Sequence, residues 1–367
     1  MDLQNSTKPK PPVVWLTGFP GMESSHILIS IPFCSMYIIS ILGNAIILFI
    51  IKTDQSLHEP MYIFLSMLAM TDLGLSLSTM PTILGIFWFN ARRVSLDACF
   101  TQLFFIHSLS FIESSILLAM AFDRLVAIQN PLRYASILTV PRISKMGLAF
   151  VFRGVALIFP LPFLLRRHQY CRANVLFHSF CLHQEVMKLA CSDITVNSIY
   201  GMFVIVSTVG VDSLLILLSY IMILKTVLSI ASREERLKAL NTCVSHICAV
   251  LLFYMPMIGL SVIHRFGKDS PLLIRIFMGY VYLLVPPLMN PVVYSVKTKQ
   301  IRARIIPDIL QVKDQLLILR TCSAFLKFAG KGEVVRSHSA TVSVVMVGNS
   351  GSDEDSCGPA RLILCSW

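Results

Sequence analysis

The sequence predicts an all-α membrane protein, a seven-transmembrane helix bundle with a short amphipathic helix after the seventh span. Three observations carry this prediction. Of the 367 residues, 55% are hydrophobic and 14% charged, and the mean hydropathy is +0.72. A soluble domain carries roughly 25% charged residues, so this chain has too little polar surface to cover a water-soluble globule of its size. A spanning helix needs about 20 largely apolar residues, and seven stretches meet that requirement. The 31 Lys and Arg outnumber the 20 Asp and Glu, but they are scattered singly between the apolar runs. That is the pattern of bilayer flanks and not of a nucleic-acid face.

The seven runs cover 27–51, 58–88, 98–128, 140–165, 194–229, 239–263 and 272–296. Residues 1–26 precede them as an extracellular N-terminus whose opening, Met1 to Pro12, is polar and without the apolar region of a signal peptide, so the first span is expected to serve as the insertion signal. The third run joins Cys99 to Arg124 over about 37 Å at 1.5 Å per residue, more than the ~30 Å hydrocarbon core. The fourth and fifth flank the one long gap, about 166–193. The sixth contains Pro256, where a helix loses a hydrogen bond and kinks. After the seventh, 297–313 reads as a cytoplasmic juxtamembrane helix and 314–367 as a disordered cytoplasmic tail, rich in Ser, Gly and Val from Gly330 onward.

An odd number of spans puts the two termini on opposite sides. Asn5-Ser6-Thr7 reads as a glycosylation acceptor, which places the N-terminus outside and the C-terminus in the cytoplasm. Lys and Arg at the span ends are nearly balanced between the two sides, so the positive-inside rule adds little. No nucleophile motif, phosphate-binding loop or zinc-ligand spacing is present, and no enzyme is expected. The halves of the chain share no repeat of the kind inverted-repeat transporters use.

Four patterns fall at matching places in the spans: Gly43-Asn44; Leu57-His58-Glu59-Pro60-Met61-Tyr62; Met120-Ala121-Phe122-Asp123-Arg124; and Pro287-Leu288-Met289-Asn290-Pro291-Val292-Val293-Tyr294. Together they resemble the rhodopsin-like G-protein-coupled receptors, and specifically the olfactory receptors. Lys238 to Cys243 and Ser245-His246-Ile247 match the olfactory pattern. His264-Arg265-Phe266-Gly267 and the long loop with Cys171, Cys181 and Cys191 resemble the class I, fish-like branch. The resemblance spans about 15–313. Gln129 departs from it, standing where the family usually has Cys.

The resemblance implies a function and a set of residue roles. A small odorant, such as a carboxylic acid, would bind among the third, fifth, sixth and seventh helices, contacting His107, Ser110, Phe111, His183, Gln184, Ser261 and Arg265. The Arg265 guanidinium would grip the carboxylate. Asp123, Arg124, Tyr254, Pro256, Asn290, Pro291 and Tyr294 would form the activation switch. Asp72, Glu113, Asn44 and Asn290 would form a polar cluster that either holds an allosteric Na⁺ or acts as a protonated structural network. No other cofactor is expected. The family's outer disulfide would pair Cys99 with Cys181 and leave Cys171 with Cys191. Expected partners are a stimulatory, olfactory-type G protein raising cyclic AMP, arrestin, a trafficking chaperone and the bilayer of the plasma membrane. The alternative is a non-olfactory metabolite or peptide receptor of the same fold.

Overall fold

The computed structural model describes residues 13–21, 26–170, 175–266, 271–297 and 301–304, without the side chains of 265, 266, 296 and 297. Seven helices in this part are long and apolar enough to cross a bilayer. They are α1 His26–Thr53, α2 Pro60–Phe89, α3 Leu96–Gln129, α4 Val140–Arg166, α5 Thr195–Ser229, α6 Arg233–Phe266 and α7 Leu272–Lys297. Each agrees with a sequence run to within a few residues, except at the start of α6. Its first turns, Arg233 to Lys238, are too polar to register as part of an apolar run.

Local chemistry sets the ends. Pro60 opens α2, where its missing N–H costs nothing. Asn90 closes that helix in the left-handed region, φ 51°, while its backbone N–H returns to Gly85 O. Ser95 caps α3 by accepting from the Ala98 N–H at 3.2 Å. The helix α4 is interrupted at Phe159, just before Pro160. In α5, Val206–Gly210 form a π turn.

Helix α3 is the axis of the bundle, packing on α2, α4, α5 and α6, while α1 lies against α2 and α7. Its buried side chains, among them Leu103, Ile106, Ile116 and Met120, belong to the main core, whereas exposed Leu, Ile and Phe side chains on α1, α4 and α5 face outward as lipid-facing groups would. Gly43 allows the α1–α7 approach, because a Cβ there would stand 3.0 Å from Pro291.

No strand is expected from the hydropathy pattern, yet the end of the bundle bearing Cys99 carries a small sheet. Strand β1, Val13–Leu16, lies between β2, Arg93–Ser95, and β3, Val175–Leu176, antiparallel to the first and parallel to the second. Val14 and Leu16 are fully buried, and Arg93 stacks on Trp15 at 4.4 Å. Residues 301–304 are helical; the remainder of the expected juxtamembrane helix, the tail and Asn5 lie outside the described residues.

Candidate ligand site and the polar core of the bundle

The loop between α4 and α5 is drawn onto the bundle by a disulfide between Cys99 and Cys181, with Cα atoms 5.4 Å apart. The Cys181 N–H donates to Gln102 Oε1 at 2.9 Å, and the Gln102 amide donates in turn to Ser78 O and Thr82 Oγ1 of α2. The next residues, Leu182 to Gln184, therefore descend between the helices. Gly201 on α5 makes room for them, since a Cβ there would lie 3.1 Å from His183 Cε1.

Beneath this loop lies a cavity of about 60 Å³, space for roughly four to six waters at ~10–15 Å³ each. Its apolar wall comes from Phe111, Ile158, Leu161, Val204, Ile205, Met257 and Leu260, and its polar groups are His107, His183, Gln184, Ser261 and Tyr282. The His183 N–H donates to His107 Nε2 at 3.4 Å, which assigns the His107 proton to Nδ1. An apolar wall with a few convergent polar groups suits a small molecule with an apolar body and a polar head.

Below the cavity the helices are joined by buried polar contacts. Tyr254 shares a 2.8 Å hydrogen bond with Ser114, whose hydroxyl donates to Asp212 Oδ2. Arg153 donates to the same oxygen at 2.9 Å, to Ser115, and to the Ser207 carbonyl within the π turn. A π turn disturbs the regular i→i−4 pairing, and here a neighbouring helix supplies a donor to one of its carbonyls. Further along, Asn290 Nδ2 donates to Asp72 Oδ2 at 3.0 Å and approaches Glu113 Oε1 at 3.5 Å. At the far end Arg124 pairs with Asp123 at 3.1 Å, and the Tyr134 hydroxyl donates to Asp123 Oδ1 at 2.7 Å. Burial first, then the Asp123 charge, raise the Tyr134 phenol, so it remains a proton donor.

The olfactory receptor family profile matches residues 33–312. The human proteins olfactory receptor 51G2 and olfactory receptor 51G1 are 69% and 65% identical over 303 and 299 residues, covering 83% and 82% of this chain and 96% and 93% of theirs. The chain belongs to the olfactory receptor family. The crystal structure of squid rhodopsin superposes with a TM-score of 0.65 at 17% identity, over 79% of this chain and 87% of that one, and supports the rhodopsin-like fold. The family is one of G-protein-coupled receptors and not of enzymes, so an odorant and a G protein are this receptor's expected classes of partner.

Among the residues expected to contact ligand in this olfactory receptor, His107, Phe111, His183, Gln184 and Ser261 line the cavity together. Ser110 does not: its hydroxyl accepts from Tyr282, which takes the wall position in its place. The Arg265 side chain lies outside the described residues. The sequence reading also omitted α4, which contributes Ile158 and Leu161. Asn44 does not join the carboxylates. Its amide donates at 2.9 Å to the carbonyls of Ser40 and Pro287 and so ties α1 to α7. Tyr294 Oη lies 3.9 Å from Met120 Sδ, and Asn290 and Pro291 share α7 with it. Cys191 is disulfide-bonded, while Cys171, its expected partner, lies outside the described residues.

The Arg153–Asp212 pair went unread, although each charge interrupts an apolar run. The rule that intramembrane ionisable groups are functional by default singled out Asp72 and Glu113 and would have found these two as well. Gln129, the departure from the family pattern, donates to Thr226 Oγ1 at 3.1 Å and links α3 to α5.

Proposed function

We propose that this olfactory receptor binds a small odorant with a carboxylate or similar polar head in the cavity beneath the loop, and that binding activates a stimulatory G protein to raise cyclic AMP. The observation that carries the reading is the convergence of His107, His183, Gln184 and Ser261 on one small apolar cavity. Its size favours a short volatile molecule over the peptide alternative. Arg265, four residues beyond Ser261 on α6, is the proposed carboxylate anchor.

In this reading the receptor sits in the plasma membrane with its disulfide end outside and Arg124 facing the cytoplasm. The ligand acts by preferring one of two states of the bundle, and arrestin and a trafficking chaperone are further partners. The carboxylates of the polar core fit a Na⁺ site. Glu113 Oε2 and Asn290 Oδ1 are buried acceptors without a hydrogen-bond partner among the described residues, an excess that a cation or a shared proton relieves. Asp72, Glu113 and Asn290 would hold the ion, which would supply positive charge between the two carboxylates; Asn44, committed to backbone carbonyls, would not.

The deciding experiment measures cyclic AMP in cells expressing the full chain, across linear carboxylic acids and matched alcohols, with Arg265→Ala alongside. Acid responses lost in the variant at equal surface level are expected. Acid responses unchanged by the substitution would remove the anchor, and surface-positive cells silent to the whole panel would remove the acid assignment. For the cation, agonist potency is expected to depend on Na⁺ against a bulky organic cation, and Glu113→Gln to remove that dependence; equal potency in both salts would reject it.

A further inference from the structure

Beside the cavity, three residues from two segments far apart in sequence meet. His178 and Glu185 come from the loop and His264 from the end of α6. One nitrogen of each imidazole and one Glu185 oxygen lie within 4.8 Å of one another. The His178 and His264 rings are 6.1 Å apart. His178 is 1% exposed and packs on Gly279, where a Cβ would come within 3.2 Å of its ring. His178 Nδ1 and His264 Nε2 are buried without hydrogen-bond partners among the described residues. His264 Nδ1 lies 2.9 Å from Glu185 Oε1, and Lys188 Nζ lies 2.5 Å from the same oxygen.

We propose that His178, Glu185 and His264 form a binding site for Zn²⁺, which pins the loop to the end of α6 over the ligand cavity. Two imidazoles and one carboxylate are a borderline donor set that suits zinc, and they leave a fourth tetrahedral position for water. An oxygen-seeking ion such as Mg²⁺ or Ca²⁺ is poorly matched to it. At metal–donor distances of about 2.0–2.2 Å in a tetrahedral shell, two donors stand about 3.3–3.6 Å apart, so the cluster, whose atoms lie within 4.8 Å of one another, must close by up to about 1.5 Å. Lys188 is the group that yields. Its side chain is 42% exposed and can leave Glu185 for solvent when the ion supplies positive charge. Gln184 and Ser261, beside Glu185 and one helical turn before His264, line the cavity, so the ion would set how readily the loop and α6 separate.

The test needs neither odorant nor G protein, so its outcome is independent of the function proposed above. The full-length receptor is purified in lipid nanodiscs, stripped with EDTA, and titrated with radioactive Zn²⁺ while thermal unfolding is followed in parallel. One saturable Zn²⁺ per chain and a zinc-dependent rise in Tm are expected, with Mg²⁺ inactive. His178→Gln and His264→Gln should each weaken zinc binding at least tenfold, whereas His264→Cys, which keeps a zinc ligand, should retain it. Lys188→Ala should tighten zinc binding, since it removes the competitor for Glu185; a purely structural ion pair predicts only lower stability. Variants are compared by their Tm in EDTA, and if either Gln variant fails to fold, His264→Cys and Lys188→Ala decide. No saturable uptake by the unsubstituted receptor, wild-type affinity in the Gln variants, or weaker binding in Lys188→Ala would overturn the site.

Discussion

Tyr220 of α5 and His246 of α6 share a hydrogen bond of 2.6 Å, and through its other nitrogen His246 donates to the Leu117 carbonyl of α3 at 2.9 Å. One imidazole thus fastens the half of α6 on the Arg124 side of Pro256 to two neighbouring helices. With Nε2 donating to the carbonyl, Nδ1 must accept from the phenol. Both ring nitrogens are therefore engaged, and the ring itself is 2% exposed.

His246→Leu is expected to raise agonist-independent signalling. A lost bond to a buried group costs about 1–3 kcal/mol, and about 1.4 kcal/mol is tenfold in an equilibrium. Basal cyclic AMP at matched surface level should therefore rise by about fivefold or more, up to the ceiling set by full activation. Basal activity equal to that of the unsubstituted receptor would show that this fastening does not restrain α6.

Asp212→Ala should be among the most damaging single changes in the bundle. It leaves the Arg153 guanidinium facing Ser115 and Ser207 without its counter-charge. Breaking a fully buried ion pair from one side costs about 3–5 kcal/mol, and because the Arg153 side chain is 31% exposed the cost here should fall below that range. Surface staining and Tm should both fall sharply, and the double change Arg153→Met with Asp212→Leu should recover much of the loss. A double variant no better than the single one would assign the defect to lost shape and not to stranded charge.

At Gly201 the effect should fall on ligand and not on folding. An added methyl would meet His183 Cε1 at 3.1 Å beside the cavity, so Gly201→Ala must push the loop by a few tenths of an ångström. Odorant potency is expected to drop about tenfold, the effect of about 1.4 kcal/mol, with surface expression near normal. Unchanged potency would mean that His183 gives way without consequence.

Acid should loosen the loop in two stages. Burial lowers His178 from 6.5 to about 4; the Glu185 charge opposes this, while His264, Lys188 and Arg275 add to it. The unfolded state therefore binds more protons between pH 6.5 and 4, and stability falls as pH drops through that window. Burial alone would raise Glu185, but His264 and Lys188 outweigh it and bring it to about 2, so its contribution is present above pH 4.5 and lost below. In EDTA, Tm should be lower at pH ~5 than at pH ~7, and His178→Phe should flatten that slope. A slope kept in the variant would place the titrating group elsewhere.

The seven spans are readable in the sequence because a bilayer demands about 20 apolar residues at a time, a signal that survives without knowledge of packing. Which face of a helix a residue occupies is lost beyond the break at Pro160 and the π turn at Val206–Gly210, since each rotates the remainder of its helix. Ser110 illustrates a second difficulty: it stands three residues after His107 on α3, yet Tyr282 takes its hydroxyl and the place on the cavity wall. The sheet was unreadable for a different reason. Strands of two to four residues are too short to show alternation, and their pairing joins positions about 80 and 160 residues from β1.

The sheet also bears on the order of assembly. Val13 to Leu16 leave the ribosome before any helix, yet their hydrogen-bonded neighbours at 93–95 and 175–176 are made much later. Two helices are made before the segment's antiparallel neighbour and four before its parallel one, and pairing so distant in sequence is slow to form. The sheet around Val13–Leu16 is thus complete only after the fourth helix has been made. A quality-control system that samples this segment would be reading whether the other end of the loop has arrived.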